Sequence, residues 1–142
     1  MEKLNFGEIS KMEKTIHAQG KRKRSVARAT LRSGKGKVKV NGILLNNYSN
    51  QFLRLRISEP LILAKDDAKK VDIDVNVVGG GINGQADASR LAIARALVEF
   101  SPKLEKDFIE YDRLLLVADV RRKEVRKPND SKARAARQKS YR

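Results

Sequence analysis

Three glycines in the middle of the chain have a spacing that can hold a phosphate. Gly79, Gly81 and Gly84 match the pattern G-x-G-x-x-G, in which the glycines let the backbone turn tightly and approach the pyrophosphate of a dinucleotide. In a dehydrogenase such a loop supports hydride transfer. Two other interpretations are open. In the first, the glycines serve only the fold, because they allow the backbone angles needed where a strand becomes a helix. In the second, free amides at the start of that helix hold an RNA phosphate.

The surrounding sequence disfavours the dinucleotide enzyme. The fingerprint belongs to the first βαβ unit of a doubly wound sheet, whereas here a basic hairpin is predicted before it and one short strand after it. The acid that binds the ribose should end a strand about 20 residues further on. Glu99 and Glu105 lie near that distance, but in a helix and in a charged linker. No Gly-Lys-Ser/Thr follows the glycines, which argues against a P-loop. We therefore expect no enzymatic activity, no cofactor and no small-molecule substrate.

The composition limits the other kinds of site. The 142 residues include no cysteine and one histidine, His17, so neither a disulfide framework nor a metal site is expected. No apolar run approaches the roughly 18 residues that span a bilayer, and no secretory signal pattern opens the chain. We therefore expect a cytoplasmic protein with no membrane partner.

Positive charge is concentrated in two segments of the chain, whose formal net charge is +15. Residues 20–40 contain nine Lys or Arg and no acid, and residues 113–142 contain eleven bases against three acids. Residues 41–112 are nearly neutral, with nine bases and eleven acids. Blocks of like charge repel one another and are stabilised against a polyanion. The distribution predicts nucleic acid as the partner.

The glycines lie inside a strand–loop–helix unit that runs from Val71 to Phe100. Residues 71–78 alternate between apolar and polar side chains, which is the period of a half-buried strand. From Gln85 onward Ala, Leu and Arg predict a helix with Asp87 in its first turn. Its many alanines predict close packing against a sheet, with Arg95 and Glu99 on the one solvated edge.

The bases before this unit are predicted to lie on a hairpin. Ala27, Ala29 and Leu31 alternate with polar residues, and so do Val38 and Val40, which predicts two strands. Residues 33–36 would form the turn between them, and Asn41-Gly42 would end the second strand. The outward face would then carry a double row of Arg and Lys, whose contacts with phosphates release counter-ions and favour binding of nucleic acid.

The rest of the chain gives weaker signals. Residues 43–70 are predicted to be helical in two pieces that break at Pro60, and Pro102 is a candidate helix start in residues 101–112. The apolar run 114–120 fits a final strand. Residues 121–142 contain too few large apolar side chains to form a core, which predicts an extended basic tail.

These motifs, taken in order, resemble one known family. Gly79-Gly80-Gly81, Gly84-Gln85 and the following run of Ala88, Ala92, Ala94, Arg95, Ala96 and Leu97 resemble the signature of the small-subunit ribosomal protein family nine. GKRKRSVARATL, VKVNG, YDRLLLVADVRRKE and the closing QKSYR are similar to the same family, and the resemblance covers about residues 20–142. The last five residues resemble the archaeal and eukaryotic branch. The short chain favours an archaeal source.

The resemblance implies a fold and a role. Family members are small α/β domains, of the two-layer α+β type, in which helices pack on a small sheet with a left-handed βαβ crossover. They lie in the head of the small ribosomal subunit, bind the head domain of its ribosomal RNA, and have other head proteins as neighbours. Their tail reaches the anticodon stem-loop of the P-site tRNA, which here implies Lys139 and Arg142, with Tyr141 close by. Two alternatives to this ribosomal role are a free-standing RNA-binding module with a role off the ribosome, and the dinucleotide enzyme.

We expect an N-terminal extension at 1–18, a globular α/β domain at 19–120 and the tail at 121–142. The residues that we predict to bind ribosomal RNA are mostly bases, with three residues of the glycine loop and helix start. They are Lys21, Arg22, Lys23, Arg24, Arg28, Arg32, Lys35, Lys37, Lys39, Arg54, Arg56, Gly80, Gly81, Gln85, Arg90, Arg121, Arg122, Lys123, Arg126, Lys127, Lys132, Arg134 and Arg137.

Overall fold

The computed structural model describes residues 15–136 together with 138 and 140. The strands are β1 (Ile16–Arg22), β2 (Ser25–Ser33), β3 (Val38–Val40), β4 (Ile43–Leu44) and β5 (Val71–Val78). The helices are α1 (Gln51–Ala64), α2 (Ile82–Phe100) and α3 (Leu104–Tyr111), and short 3-10 turns follow β4, α1 and α3. In this part of the chain, no helix has both the length and the apolar character that crossing a bilayer requires.

The five strands form one mixed sheet in the order β1-β2-β5-β3-β4. The pairs β1–β2, β2–β5 and β3–β4 are antiparallel, whereas β3 and β5 are parallel neighbours. A parallel pair needs a crossover connection, and α1 lies in the segment that links β3 to β5. The predicted α+β class and its βαβ connection are therefore confirmed.

The core lies between one face of this sheet and the helices. Val71, Ile73, Val75 and Val77 are buried while the residues between them are not, so the predicted alternation is confirmed. α2 packs closely because Gly20 in β1 has no side chain. A Cβ built there would lie 2.1 Å from the carbonyl oxygen of Ala88. Small residues on both elements thus let the helix approach the sheet.

The predicted hairpin of β2 and β3 is wrong, because β5 lies between these two strands. The actual hairpin joins β1 to β2 through the two-residue turn Lys23-Arg24, since Arg22 pairs with Ser25. The segment between β2 and β3 crosses the start of β5 instead. There Asp72 Oδ1 accepts backbone hydrogen bonds from Lys35 and Lys37 at 2.9 and 2.8 Å. The Asn41-Gly42 turn is confirmed, and it joins β3 to β4 with φ angles of 51° and 80°.

The predicted break at Pro60 is also wrong, because α1 is continuous through it. Leu53, Ile57, Pro60 and Ala64 form the buried face of the helix, and Pro60 itself is fully buried. A proline in a helix interior loses one backbone hydrogen bond. Here that loss is offset by packing against the core.

The start of α2 differs from the prediction. The helix begins at Ile82, so Asp87 lies in its second turn and the first turn contains no acid. Arg95, predicted to be solvated, is half-buried and donates hydrogen bonds to the carbonyl oxygens of Gln19 and Leu116 at 2.8 and 3.0 Å. Arg95 therefore ties β1 to the chain that leads into the tail.

The predicted final strand is absent from the described residues. Arg113–Leu115 forms a 3-10 turn in which Asp112 accepts a hydrogen bond from the Leu114 amide, and no strand follows. Leu115 is fully buried, so this apolar run anchors the chain beneath the helices. At the other end β1 begins at Ile16, and residues 16–18 therefore belong to the sheet.

Candidate nucleic-acid interface

The two basic segments of the chain meet at the glycine loop. One open cavity is lined by residues of the β1–β2 turn, the loop before α2 and the root of the tail. We call this surface the glycine-loop cluster, and it consists of Arg22, Lys23, Arg24, Gly80, Gly81, Arg121, Arg122, Lys123 and Arg126, with Glu124 and Val125 beside them. Seven cations against one carboxylate make this surface strongly positive.

The glycines of this loop have different roles. Gly79 and Gly80 have φ angles of 76° and 67°, which favour glycine. A Cβ on Gly80 would lie 2.0 Å from Ser25 Oγ, whereas a Cβ on Gly81 would meet nothing within 4 Å. Gly81 is the N-cap of α2, and no side chain accepts from the first turn. Gly80 is therefore required by the fold, while Gly81 leaves an open approach to the helix amides.

Two side chains hold the loop in place through Gly79. Ser25 Oγ and Gln85 Nε2 both donate to the carbonyl oxygen of Gly79, at 3.0 and 3.1 Å. Gln85, predicted to bind RNA, therefore shapes the loop. Ser25 is fully buried, and its hydroxyl joins the β1–β2 turn to the glycine loop.

An ion-pair group fixes the root of the tail beside the turn. Asp119 is paired with Arg121 at 2.7 Å and with Arg22 at 3.4 Å. Arg22 Nη1 also donates to the carbonyl oxygen of Arg121 at 3.3 Å. Hydrogen bonds from Arg121 hold the pKa of Asp119 far below its ordinary value, and the same contact raises the pKa of Arg121. Asp119 is not among the residues predicted from the sequence, where its signal is an acidic residue within the basic segment 113–142.

Five cations of the glycine-loop cluster are free of carboxylate partners. Among the ion pairs of the described residues, none includes Lys23, Arg24, Arg122, Lys123 or Arg126, and all five are exposed. A cation without a partner binds phosphate without first breaking an ion pair. These five are the strongest candidates for phosphate contacts.

The open face of the sheet is less positive than predicted. The register places Asp72 opposite Arg32, and Asp74 between Thr30 and Lys39. Asp72 also accepts a hydrogen bond from the backbone amide of Lys37. Opposite charges on neighbouring strands favour pairing of the strands, but they interrupt the expected double row of bases. Arg28 lies opposite Asn76 and keeps an exposed, uncompensated charge on this face.

Three arginines that are predicted to bind RNA, Arg54, Arg56 and Arg90, instead contact other groups of the protein. Arg90 is buried, and its guanidinium pairs with Glu59 and, at 2.9 Å, with Asp112. It therefore joins α2 to α1 and to the end of α3, and we remove it from the candidate interface. Burial alone would raise the pKa of Asp112, but the hydrogen bond from Arg90 leaves it below its ordinary value.

Arg56 and Arg54 are on the surface of α1. Arg56 pairs with Asp87 on α2, and Arg54 Nη1 donates to the carbonyl oxygen of Asn46. Both contacts stay within the protein, although Arg56 remains exposed. Lys21 and Lys35 are exposed, in β1 and in the turn before β3.

The tail beyond the cluster contains one further ion pair. Arg134 pairs with Glu124 at 2.6 Å, and this hydrogen bond lowers the pKa of Glu124. Lys127 and Lys132 are exposed. Four predicted residues lie outside the described residues, and they are Arg137, Lys139, Tyr141 and Arg142.

The sheet does not have the topology of a dinucleotide-binding domain. The strand before the glycine loop, β5, has an antiparallel neighbour in β2, and no strand follows α2 in the described chain. The fingerprint requires successive parallel βαβ units. The sheet of the described residues therefore does not match the fingerprint's topology. In residues 15–136, His, Asp and Glu side chains form no group that could hold a metal ion.

Comparison with known proteins gives a consistent result. The family model described as "Ribosomal protein S9/S16" matches residues 20–142. The chain is 53% identical over 125 residues to the "Small ribosomal subunit protein uS9" of Thermoplasma acidophilum, covering 87% of this chain and 97% of that protein. It is 44% identical over 133 residues to the protein of the same name from Methanococcus maripaludis strain C7, covering 91% and 99%. The Thermoplasma volcanium protein of that name is 52% identical over 125 residues, covering 87% and 95%. The chain therefore belongs to the ribosomal protein S9/S16 family, and it is a small-subunit ribosomal protein of the archaeal type.

Proposed function

We propose that this ribosomal protein binds the head domain of small-subunit ribosomal RNA through the glycine-loop cluster. Its role is structural, as is general for the family, and its place is the cytoplasmic ribosome. Phosphate contacts from Lys23, Arg24, Arg122, Lys123 and Arg126 supply affinity and position, while the shape of the RNA supplies specificity. Arg28 and Arg32 on the open sheet face are secondary contacts.

The observation that carries this proposal is the meeting of the two basic segments around Gly81. The segments are about a hundred residues apart in sequence, since Arg22 Nη1 and the Arg121 carbonyl are separated by 99 positions. Charges held this close repel one another. They gain most from a partner that places several phosphates in one cavity, and the uncapped amides of α2 add donors to the same anions.

The tail has a second function in this proposal. Beyond the cluster it carries Lys127, Lys132 and Arg134 on exposed chain, which suits a path between RNA helices. Its last residues, Lys139, Tyr141 and Arg142, contact P-site tRNA. Support comes from the basic composition of the segment and from the resemblance of its terminus to family members. Neighbouring proteins of the head complete the set of partners.

The rRNA contact is tested by charge reversal. The double variant Lys23→Glu, Arg24→Glu should bind a transcript of the head rRNA domain at least about tenfold more weakly in filter binding at moderate salt. The matched control is Lys103→Glu, Lys106→Glu, two exposed lysines near and within α3. An equal loss in both variants would mean that net charge, and not this cluster, determines binding.

The tRNA contact is tested by truncation. Deleting residues 139–142 should leave incorporation into the small subunit unchanged while P-site tRNA affinity falls. A free-standing RNA-binding module would fail to co-sediment with the subunit in a high-salt gradient. Loss of incorporation with normal tRNA affinity would contradict the separation of roles.

A further inference from the structure

A groove beside the edge of the sheet, well away from the glycine loop, has a different chemistry from the RNA-binding cluster. The groove lies between the β3–β4 hairpin and the C-terminal half of α1. Val38, Leu44, Leu61 and Ile62 line it with aliphatic carbon. Leu44 and Ile62 remain 45% and 65% exposed, and the adjacent Ile43 is 50% exposed. A contiguous exposed apolar patch on a small domain typically marks an interaction surface.

Lysines surround this apolar floor. Lys35, Lys37, Lys65 and Lys69 all line the groove. Lys69 pairs with Asp66 at 3.1 Å, whereas the other three enter no ion pair of the described residues.

Two carboxylates lie near these lysines. Asp66 faces Lys69, and Asp72 accepts backbone hydrogen bonds at the opposite end. Counting both acids still leaves an excess of two positive charges around the groove. An occupant with negative side chains is therefore favoured by charge complementarity.

We propose that this groove docks a segment of a neighbouring protein that presents aliphatic side chains to Leu44 and Ile62 and acidic side chains to the lysines. RNA fits the observations less well, because its sugar–phosphate backbone is mostly polar and charged and offers little apolar surface to cover the exposed floor. An apolar centre with a charged rim is the arrangement of protein–protein interfaces.

Two structural details agree with this assignment. β4 is the last strand of the sheet on this side, and an edge strand offers backbone groups to an extended peptide. Lys65 ends α1 with a φ of 47°, a conformation that glycine adopts at lower cost. A lysine at this position places a charge on the rim at the expense of backbone strain.

The inference rests on the small-subunit role and not on the RNA contacts proposed above. The probe is a benzoylphenylalanine photo-cross-linker placed at Ile62 in the full chain, which is then assembled into small subunits. A second variant of the chain carries the cross-linker at Ile109, an exposed apolar residue of α3. We expect the Ile62 probe, and not the Ile109 probe, to cross-link to a polypeptide segment containing at least two acidic residues.

Charge reversal completes the test. Adding Lys65→Glu and Lys69→Glu should reduce the yield of the Ile62 cross-link at least fivefold, while Lys103→Glu and Lys106→Glu should not. The inference is overturned if the Ile62 probe in assembled subunits cross-links to rRNA, to a polypeptide segment without acidic residues, or to nothing. It is also overturned if the lysine charge reversal leaves the cross-linking yield unchanged. Loss of rRNA binding by the Lys23→Glu, Arg24→Glu variant is scored separately, so either proposal can fail alone.

Discussion

The number of unpaired cations at the glycine-loop cluster predicts how salt weakens rRNA binding. Five cations of the cluster have no carboxylate partner within the described part of the chain. Three of them, Arg122, Lys123 and Arg126, lie together at the root of the tail. Each phosphate contact contributes roughly 0.7 to 0.9 to the slope of log K against log salt. Replacing these three residues with alanine should therefore reduce the slope by about 2 to 3.

This slope converts into a measurable difference in affinity. Between about 50 and 200 mM salt, the wild-type chain should lose roughly 15- to 60-fold more affinity than the triple variant. Fluorescence anisotropy with a labelled head-domain transcript measures both proteins over this range. None of these residues packs in the core, since all three are exposed, so the variant is expected to keep its fold.

The control is a triple alanine variant at Lys103, Lys106 and Arg113, which are exposed and lie outside the cluster. Its slope should match that of the wild type. If the two triple variants lose the same slope, the cluster has no special place in the interface. An unchanged slope in the cluster variant would refute the assignment of these cations to phosphates.

Other predictions concern the contacts that shape the cluster. Gly20→Ala should lower the free energy of unfolding by about 3 kcal/mol or more, because the added Cβ would meet backbone atoms of α2 at 2.1 and 2.7 Å. Denaturant unfolding measures this loss. The control is Gly81→Ala, because the space around Gly81 is open. Arg90→Met should cost about 1–3 kcal/mol, measured in the same way, since it leaves two partly hydrated carboxylates without their partner. Arg121 keeps the pKa of Asp119 below its ordinary 3.8. The ionised Asp119 carboxylate therefore stabilises the fold above that pH, and this stabilisation is lost as the pH falls and the carboxylate is protonated. Asp119→Asn should therefore weaken the pH dependence of unfolding between pH 4 and 2, and an identical profile would contradict the role of the ion pair.

Local patterns were predictable from the sequence, while strand pairing was not. The alternation in Val71–Val78 and the alanine-rich run that follows depend on neighbouring residues only. β5 spans the predicted residues, and α2 contains the alanine-rich run although it begins at Ile82, before the predicted start at Gln85. The sequence predicts a β2–β3 hairpin because a glycine-containing turn joins these two strands. The turn instead wraps around Asp72, a residue more than thirty positions away. That long-range contact left no local signal.

The actual hairpin was missed because its turn residues are unusual. Two-residue turns with positive φ favour Asn and Gly, whereas here Lys23 has a φ of 52°. A cationic residue therefore occupies a position where glycine is preferred by about 1 kcal/mol. The substitution that favours the turn would remove a charge from the cluster. The basic segments were thus visible in the sequence, but their meeting point depended on this turn.

The structure divides the arginines into two classes that composition cannot separate. Arg22, Arg90 and Arg95 face carboxylates or carbonyl oxygens within the chain, and they join β1, the helices and the root of the tail. Arg24 and Arg122 are exposed beside the glycine loop and have no such partner in the part of the chain that the structure describes. The arginines bonded within the chain hold the backbone segments that carry the exposed arginines. Because the bonds of the first class are already formed, the RNA binding that we propose would need no rearrangement of this surface. The fold would hold the mutually repelling cations in place until phosphates relieve the repulsion.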